Sequence, residues 1–335
     1  MANSHDVARV AGVSQATVSR VMSAPGSVAP ATMSRVQAAM KQLGYARHAG
    51  AQLMRTKKAN TIGVVINDLA NPFYPEVLDE VTRFFNSAGF RVVIWNAGSG
   101  SHEDALKAIS ECAVDGVVFT TATARSLELQ AAVDKHRPLV LINREVEDID
   151  CDKVISDNQE GGSKLADFLA EQGRTRVAFI SGNPEASTSR DRQRGFYRQM
   201  EVRGYQVPEH LRFCGNFSHD ASAQIALRLL DRATPPEAIV CANDYMAFGV
   251  LDVLRSRGQS AQECWVLGYD DVEMASWHSF SLTTVRQPSR EMAVLGAQML
   301  LDRVLDPSAS FKRVVFPSEL IVRSSTPLRS ATSLR

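Results

Sequence analysis

The apolar residues at the start of the chain are spaced for three short helices. Those on the inner faces of the first two helices are Val7, Val10, Ala11, Val18 and Val21. Gly12 can adopt the positive φ that ends the first helix, and Ser14 can cap the second. A third helix is expected from about Pro30, ended by Gly44, with an apolar stripe made of Met33, Val36, Met40 and Leu43. The pattern predicts a helix-turn-helix with a third helix packed on it.

From Thr61 the pattern changes to short β-branched apolar runs separated by amphipathic segments of helical length. A first set of runs covers 62–66, 91–95, 116–120 and 139–143, and a second set covers 177–181, 238–242 and 264–269. Near-continuous apolar strands that alternate with helices indicate parallel sheets covered on both faces, with right-handed crossovers. We therefore predict an α/β body of two doubly wound lobes behind the helical start.

The second predicted helix presents side chains that suit the major groove of DNA. Gln and Arg pair with adenine and guanine edges, and a small Ala permits close approach to a thymine methyl group. The expected DNA-contacting positions here are Ser14, Gln15, Ala16, Thr17, Ser19 and Arg20. A plain surface hairpin of two helices is the alternative.

Charge favours the DNA-binding interpretation. Residues 1–58 contain eight Lys and Arg but one acid, Asp6, whereas the other 277 residues contain 29 basic and 36 acidic groups. The zero net charge of the chain therefore hides a strongly basic head on an acidic body. A polyanion is the expected partner of the head, and the body has no electrostatic reason to bind one.

The same residues resemble a known family. The motif Asp6-Val-Ala-x-x-Ala-Gly-Val-Ser-x-x-Thr-Val-Ser-Arg-Val21, followed by Leu43-Gly-Tyr45 and Thr61-Ile-Gly-Val-Val65, is similar to the LacI/GalR family of bacterial transcription regulators. The resemblance implies a DNA-binding headpiece at 1–45, a hinge at 46–59, and a body at 60–335 built like a type I periplasmic sugar-binding protein. It further implies that the chain recrosses between lobes, giving one lobe of 60–160 with 288–320 and another of 161–287 with 321–335.

So short a segment as the hinge should not hold a helix alone. The resemblance implies that it folds where two copies meet over the centre of the operator. In the family an apolar side chain of this segment enters the minor groove, and that position falls on Met54. A simple linker with Leu53 as the apolar contact is the alternative. Lys57 is expected to meet phosphate.

Polar residues follow seven predicted strands in succession, where open α/β sheets bind ligands. Each alone is typical of a cap or turn, but together they favour a polar cleft. The resemblance implies effector contacts at Arg192, Asn243, Asp270, Phe217, Phe73 and Tyr74, and strand ends add Asn143, Asp157 and Gln287. Core packing is an alternative role for Phe73 and Tyr74.

Two arginines near this cleft favour an acidic ligand, because guanidinium binds carboxylate or phosphate in a bidentate way. For Arg192 the alternative is a surface ion pair with Asp191 or Glu185. For Arg144 the alternative is an ion pair with Glu145, Glu147 or Asp148.

Other classes of protein fit less well. The chain lacks the glycine-rich phosphate loops and the nucleophile elbow of common α/β enzymes. Its five cysteines are dispersed, so neither a disulfide framework nor a metal site is indicated, and no cofactor is expected. A transport binding protein is opposed by the basic head and by the polar start, which is not a signal peptide. No apolar run approaches the ~18 residues of a membrane span, so a cytoplasmic protein is expected.

The sequence thus predicts a homodimeric transcriptional repressor of carbohydrate-utilisation genes. It binds a near-palindromic operator and responds to a sugar or sugar-acid effector, and its dimers could pair into tetramers. A nucleobase effector or a protein corepressor is the alternative, and an α/β enzyme is the less favoured one.

Overall fold

The computed structural model describes residues 2–23, 25–45, 59–66, 68–97, 102–260 and 262–327. The chain divides into two compact units, 1–59 and 60–335, called here the headpiece and the body. The described residues contain no helix long and apolar enough to cross a membrane.

The headpiece consists of α1 (Ser4–Ala11), α2 (Gln15–Ser23) and α3 (Pro30–Gln42), with a 3-10 turn at Pro25–Ser27. As predicted, Gly12 ends α1 at φ 63°. Asn3 caps α1 in a capping box, because its side chain accepts from the backbone N–H of Asp6 while Asp6 accepts from that of Asn3. Ser14 Oγ accepts from Thr17 N at 3.1 Å and so caps α2.

Val10 corrects the predicted inner face of α1, because its side chain is 43% exposed. Val7, Ala8 and Ala11 are the buried residues of this helix. At about 100° per residue, Val10 lies on the far side of Val7 from Ala8 and Ala11, so it turns away from the stripe that packs. The headpiece core is completed by Val18, Val21, Val36 and Ala39.

The strands of the body lie in two six-stranded sheets among the described residues. They are β1 (Thr61–Ile66), β2 (Arg91–Asn96), β3 (Gly116–Phe119), β4 (Leu139–Ile142), β5 (Asp152–Ser156), β6 (Val177–Ser181), β7 (Arg212–Cys214), β8 (Ala238–Cys241), β9 (Trp265–Asp270), β10 (Thr283–Arg286), β11 (Arg313–Phe316) and β12 (Glu319–Ile321). The first sheet has the order β11-β5-β4-β3-β1-β2 and the second β12-β10-β9-β8-β6-β7. Every pairing is parallel except β10 with β12. The predicted pair of doubly wound lobes is confirmed.

Helices cover the faces of both sheets. They are α4 (Phe73–Ser87), α5 (His102–Ser110), α6 (Leu127–Asp134), α7 (Asn158–Glu171), α8 (Ser187–Val202), α9 (His219–Leu230), α10 (Asp244–Ser256) and α11 (Ser289–Leu305), with 3-10 turns at Glu209–Leu211 and Glu273–Ser276. Each of the seven predicted runs coincides with a strand to within one residue at either end. The sheets meet these helices through fully buried side chains such as Phe119, Phe179 and Trp265.

The chain passes between the lobes three times. It leaves the first sheet after β5 through Asp157, and returns after β10 through Gln287 and Pro288. The third passage comes earlier than the predicted boundary after residue 320, because Glu319 already pairs with Arg286 in the second sheet. Pro317 lacks a backbone N–H and cannot extend β11, so it places the passage there.

A close helix crossing holds the second lobe together beside the cleft. A Cβ on Gly162 of α7 would collide with the carbonyl oxygen of Arg192 on α8, and a Cβ on Gly195 would collide with that of Gln159. The two glycines therefore let the helix backbones touch and set the depth at which Arg192 sits.

We expect Gly162→Ala and Gly195→Ala to destabilise the body by about 1–3 kcal/mol each, because backbone atoms cannot move aside as a flexible side chain can. Urea unfolding of the full chain measures this loss. Glu201→Ala, on the exposed face of α8, is the matched control and should change stability little. Two glycine variants as stable as the control would contradict the close crossing.

Candidate functional site

A narrow cavity of about 10 Å³ lies between the two lobes of the body. Each lobe contributes five lining residues: Asn71, Phe73, Tyr74, Asn143 and Arg144 from the first, and Thr188, Arg192, Phe217, Asn243 and Asp270 from the second. Seven of the nine predicted effector positions are in this set. The cavity follows the carboxyl ends of β4, β8 and β9, where parallel sheets place ligand sites.

Arg192 and Asp270 form a buried ion pair in the second lobe. Arg192 Nη1 lies 3.2 Å from Asp270 Oδ1, and the two side chains are 3% and 5% exposed. The guanidinium also donates to Asn158 Oδ1 at 2.8 Å and to the Ala242 carbonyl at 2.6 Å, and lies 3.7 Å from the Tyr269 ring centre. The alternative of a surface pair with Asp191 or Glu185 is therefore wrong.

Gln287 does not line the cavity, which corrects its predicted role as an effector contact. Its amide nitrogen donates to Asp270 Oδ1 at 2.7 Å, and its amide oxygen accepts from Ser156 Oγ at 2.8 Å. Both of its polar atoms are thus used within the protein. Gln287 therefore orients the Asp270 carboxylate from outside the cavity and links it to Ser156 at the end of β5.

Asp157 also lies outside the cavity, because it occupies the first passage between the lobes. Its Oδ1 accepts from Glu160 N at 2.9 Å and caps α7. The residue borders a separate groove with Glu145 and Arg313. The predicted effector contact at Asp157 is therefore corrected to a helix cap. A cap or turn was the alternative role expected for each polar residue that follows a strand.

Three cavity residues have positive φ, which L side chains rarely adopt. These are Asn143 at 76°, Phe217 at 61° and Asp270 at 121°. Such conformations persist only where the surroundings impose them, and they cluster at functional sites. Phe217 is held by contact with Gly182, where a Cβ would overlap its ring.

Two buried polar atoms at the cavity have no hydrogen-bond partner in the described part of the chain: Asn143 Oδ1 and Arg144 Nε. Arg144 donates to the Thr121 carbonyl at 2.9 Å and to Tyr74 Oη at 3.3 Å. Among the described residues it forms no ion pair, so the predicted alternative of a pair with Glu145, Glu147 or Asp148 is wrong. Glu145 pairs instead with Arg313, at 2.9 and 3.0 Å.

Burial controls ionisation at the cavity. It raises the pKa of Asp270 to about 6. The Arg192 guanidinium lowers this pKa and so opposes burial, whereas the Glu76 charge raises it by a smaller amount. The pKa of Asp244, fully buried behind Asp270, is raised well above its usual range by burial and by the Asp270 charge. Burial likewise raises the pKa of Tyr74. Asp270 is therefore ionised at neutral pH and becomes protonated as pH falls through about 6.

The cavity includes residues that sequence reasoning did not select. Thr188 lies in the first turn of α8 and carried no motif, and Asn71 lies two residues before the start of α4. Asn158 touches Arg192 without lining the cavity. Strand-end position alone signalled Asn158, because it follows β5 by two residues.

In the headpiece, α2 is the helix predicted to contact bases in the major groove, and most of its predicted contact residues are exposed. Ser14, Gln15, Ala16 and Arg20 are exposed, and Thr17 and Ser19 are half-buried. Gln15 Nε2 donates to Ser4 Oγ at 2.9 Å, which fixes the side chain near the start of α1. Leu53, Met54 and Lys57 lie outside the described residues.

Comparison with known proteins relates both units to bacterial repressors. Residues 5–48 match the family model described as "Bacterial regulatory proteins, lacI family", and residues 166–326 match "Periplasmic binding protein-like domain". The HTH-type transcriptional repressor PurR of Vibrio cholerae is 32% identical over 331 residues, 97% of this chain and 98% of PurR. The ribose operon repressor of Escherichia coli is 31% identical, covering 97% and 100% of the two chains. Among solved structures, the transcriptional regulator CelR in complex with cellobiose is 29% identical with a TM-score of 0.73, covering 97% and 100%.

Removal of the guanidinium from the buried pair should destabilise the body. Arg192→Met leaves the Asp270 carboxylate buried without its cation, so we expect a loss of about 3–5 kcal/mol at about pH 8. The folded-state pKa of Asp270, already above its unfolded value, rises further in this variant. Protonation makes the buried Asp270 side chain neutral, so the Arg192→Met variant is least destabilised at low pH. The stability that it keeps there is lost as pH rises through the folded-state pKa of Asp270. Urea unfolding at about pH 5 and about pH 8 measures the difference.

The double variant Arg192→Met with Asp270→Asn provides the control, because it has no buried charge at this position. It should recover much of the stability at the higher pH and lose the added pH dependence. A single variant as stable as the wild type at both pH values would show that the pair does not hold the site together.

Proposed function

Because this chain belongs to the LacI family of bacterial regulatory proteins, we propose that it is a homodimeric repressor of carbohydrate-utilisation genes whose operator affinity is set by a sugar or sugar-acid effector. The DNA-binding and regulatory role is that of the family. The relatives are transcriptional regulators and not enzymes. The effector, its site and the dimer are the parts proposed for this chain.

The pairing of aromatic rings with polar groups in the cavity carries the proposal for the effector. Phe73, Tyr74 and Phe217 offer apolar faces, and Asn143, Asn243 and Asp270 offer amides and a carboxylate. A sugar has weakly polar ring faces edged by hydroxyls, so such a set can stack on it and hydrogen-bond it at once. Two relatives agree with this class, since one is named for the ribose operon and the other was solved with cellobiose.

The lobes have to separate for such an effector to enter, because about 10 Å³ holds at most a water molecule. An effector can shift DNA affinity only if it binds one lobe arrangement better than another. The cavity residues come equally from both lobes, so closure around a ligand changes contacts on both sides. This arrangement supports an effector that selects one relative orientation of the lobes.

The headpiece supports base reading by Gln15, Ala16 and Arg20, with Ser14, Thr17 and Ser19 beside them on the same helix. From sequence alone, Met54 or Leu53 is the proposed minor-groove wedge and Lys57 a phosphate contact. One headpiece reads few base pairs, so two copies on adjacent half-sites provide the specificity that a genome demands.

The body has apolar surface that a second copy could cover. Val93 and Ile94 are exposed on β2, the edge strand of the first sheet, and Trp277 is exposed after the 3-10 turn at Glu273–Ser276. An exposed apolar edge strand is a liability for an isolated monomer.

We include these residues in the proposed dimer interface. A variant that carries both Val93→Lys and Trp277→Asp should therefore lose the dimer, and sedimentation measures this loss.

A screen of full-length protein by thermal shift tests the effector class, with sugars, aldonates, sugar phosphates and nucleobases as the panel. Each ligand found is then titrated by calorimetry and added to a preformed operator complex. The proposal expects a sugar or sugar acid to raise the unfolding temperature and to change operator affinity. A nucleobase that does both, with no response to any sugar, would contradict it.

Base reading and phosphate binding should separate on substitution. Arg20→Ala should relax the preference for one symmetric base pair in the operator and cost about 1–3 kcal/mol there, with a smaller loss on random DNA. Lys57→Ala should weaken binding to all sequences and make the slope of log K against log salt shallower by about one unit. Fluorescence anisotropy with specific and random duplexes measures both. Equal losses for both variants on both duplexes would contradict the assignment of α2.

A further inference from the structure

The two arginines of the cavity differ in how their charge is balanced. Arg192 has a carboxylate at 3.2 Å, two further acceptors and the Tyr269 ring. It is a complete structural unit without any ligand. Arg192 therefore gives no reason to expect an anion.

Arg144 is buried to a similar degree, at 6% exposed, but its contacts in the described part of the chain are neutral. They are the Thr121 carbonyl, the Tyr74 hydroxyl and the face of Phe217, whose centre lies 5.5 Å from the guanidinium carbon. Its Nε is buried and has no hydrogen-bond partner among the described residues. Arginine cannot lose its proton to escape the cost of burial, so Arg144 is a buried cation for which the described residues supply no ion-pair partner.

Acids are present nearby but are otherwise engaged. Glu145, the next residue, is held by Arg313 through both carboxylate oxygens. Asp68 and Asp220 border an adjoining cavity with Arg144, yet Asp68 accepts from Ala70 N and Asp220 pairs with His219. Glu128 is buried, has a partner of its own and borders another cavity with Arg144. None of these forms an ion pair with Arg144 in the described residues.

We propose that the effector carries an acidic group, a carboxylate or a phosphate, and that Arg144 binds it. The inference rests on the proposed sugar-type effector and narrows its chemical class. Arg144 lines the central cavity and also two adjoining ones of about 210 and 280 Å³, so lobe opening exposes its guanidinium to the ligand space. Asn143 Oδ1 beside it, which has no hydrogen-bond partner among the described residues, accepts from a ligand hydroxyl, and neutral sugars lack the group that Arg144 requires.

Calorimetry on the full-length protein with matched ligands tests the proposal. The probes are glucose and ribose, each with its aldonate and its terminal phosphate. An acidic member should bind at least about tenfold more tightly than its neutral parent, and Arg144→Met should remove that preference. Arg144→Lys should retain part of it, and comparison of aldonate with phosphate identifies the acidic group. Arg257→Met removes a guanidinium that pairs with Asp231 and lines none of these cavities, so it is the matched control.

A second measurement needs no identified effector. Inorganic phosphate at about 10 mM should raise the unfolding temperature of the wild type and of the control Arg257→Met, but not that of Arg144→Met. Without phosphate, Arg144→Met should be at least as stable as the wild type, because an uncompensated buried charge has been replaced by a methionine of similar length.

The outcomes separate this inference from the proposed function. One outcome is that a neutral sugar binds tightly and releases the operator, and that Arg144→Met affects neutral and acidic ligands equally. This result would support the sugar-responsive repressor but contradict the proposal that the effector carries an acidic group. A structural role for Arg144 would appear as a large loss of stability in Arg144→Met and Arg144→Lys alike, with no phosphate effect in the wild type. Absence of binding by every sugar, with binding by a nucleobase, would overturn both.

Discussion

The buried ion pair between Arg192 and Asp270 is the interaction on which the rest of the body depends. It exists because glycines at the α7–α8 crossing let Arg192 approach β9 closely, and because Asp270 adopts a positive φ at the end of that strand. Burial of two charges is costly unless each is fully hydrogen-bonded. Asn158 and Gln287 supply those bonds, so the pair constrains the lobe passages as well as the cavity.

These contacts close into a ring that joins the cavity to the passages between the lobes. Ser156 Oγ donates to Gln287, Gln287 donates to Asp270, Asp270 pairs with Arg192, Arg192 donates to Asn158, and Asn158 donates back to the Ser156 carbonyl. The ring spans the ends of β5 and β10, where the chain changes lobe. We infer that a ligand touching Asp270 alters bonds that reach the passages after β5 and after β10, which gives the coupling a physical route through hydrogen bonds.

Sequence reasoning succeeded where the signal is local. The caps and glycine turn of the headpiece, and the apolar strands of the sheet centres, are each specified within a few residues. It failed where the outcome depends on residues distant in sequence. The edge strand β7 is three residues long and has no apolar run, and Gln287 looked like a ligand contact because its partner Ser156 is 131 positions away. The surroundings of Arg144, which forms no ion pair among the described residues, were equally hidden, because Glu145 is taken by Arg313 from the far end of the chain.

The most direct test of this account is the effector-induced change in operator affinity of Ser156→Ala. The substitution removes the hydrogen bond that Ser156 Oγ donates to Gln287 within the ring, and Ser156 does not line the cavity. Operator affinity with and without the identified effector, together with effector affinity by calorimetry, gives the coupling free energy. We predict effector affinity close to wild type but a coupling ratio about fivefold smaller, from loss of a bond worth about 1 kcal/mol. Ser256→Ala, which removes a serine-to-carbonyl hydrogen bond in α10 outside the ring, should keep the wild-type ratio. A wild-type ratio in Ser156→Ala would contradict the role of the ring.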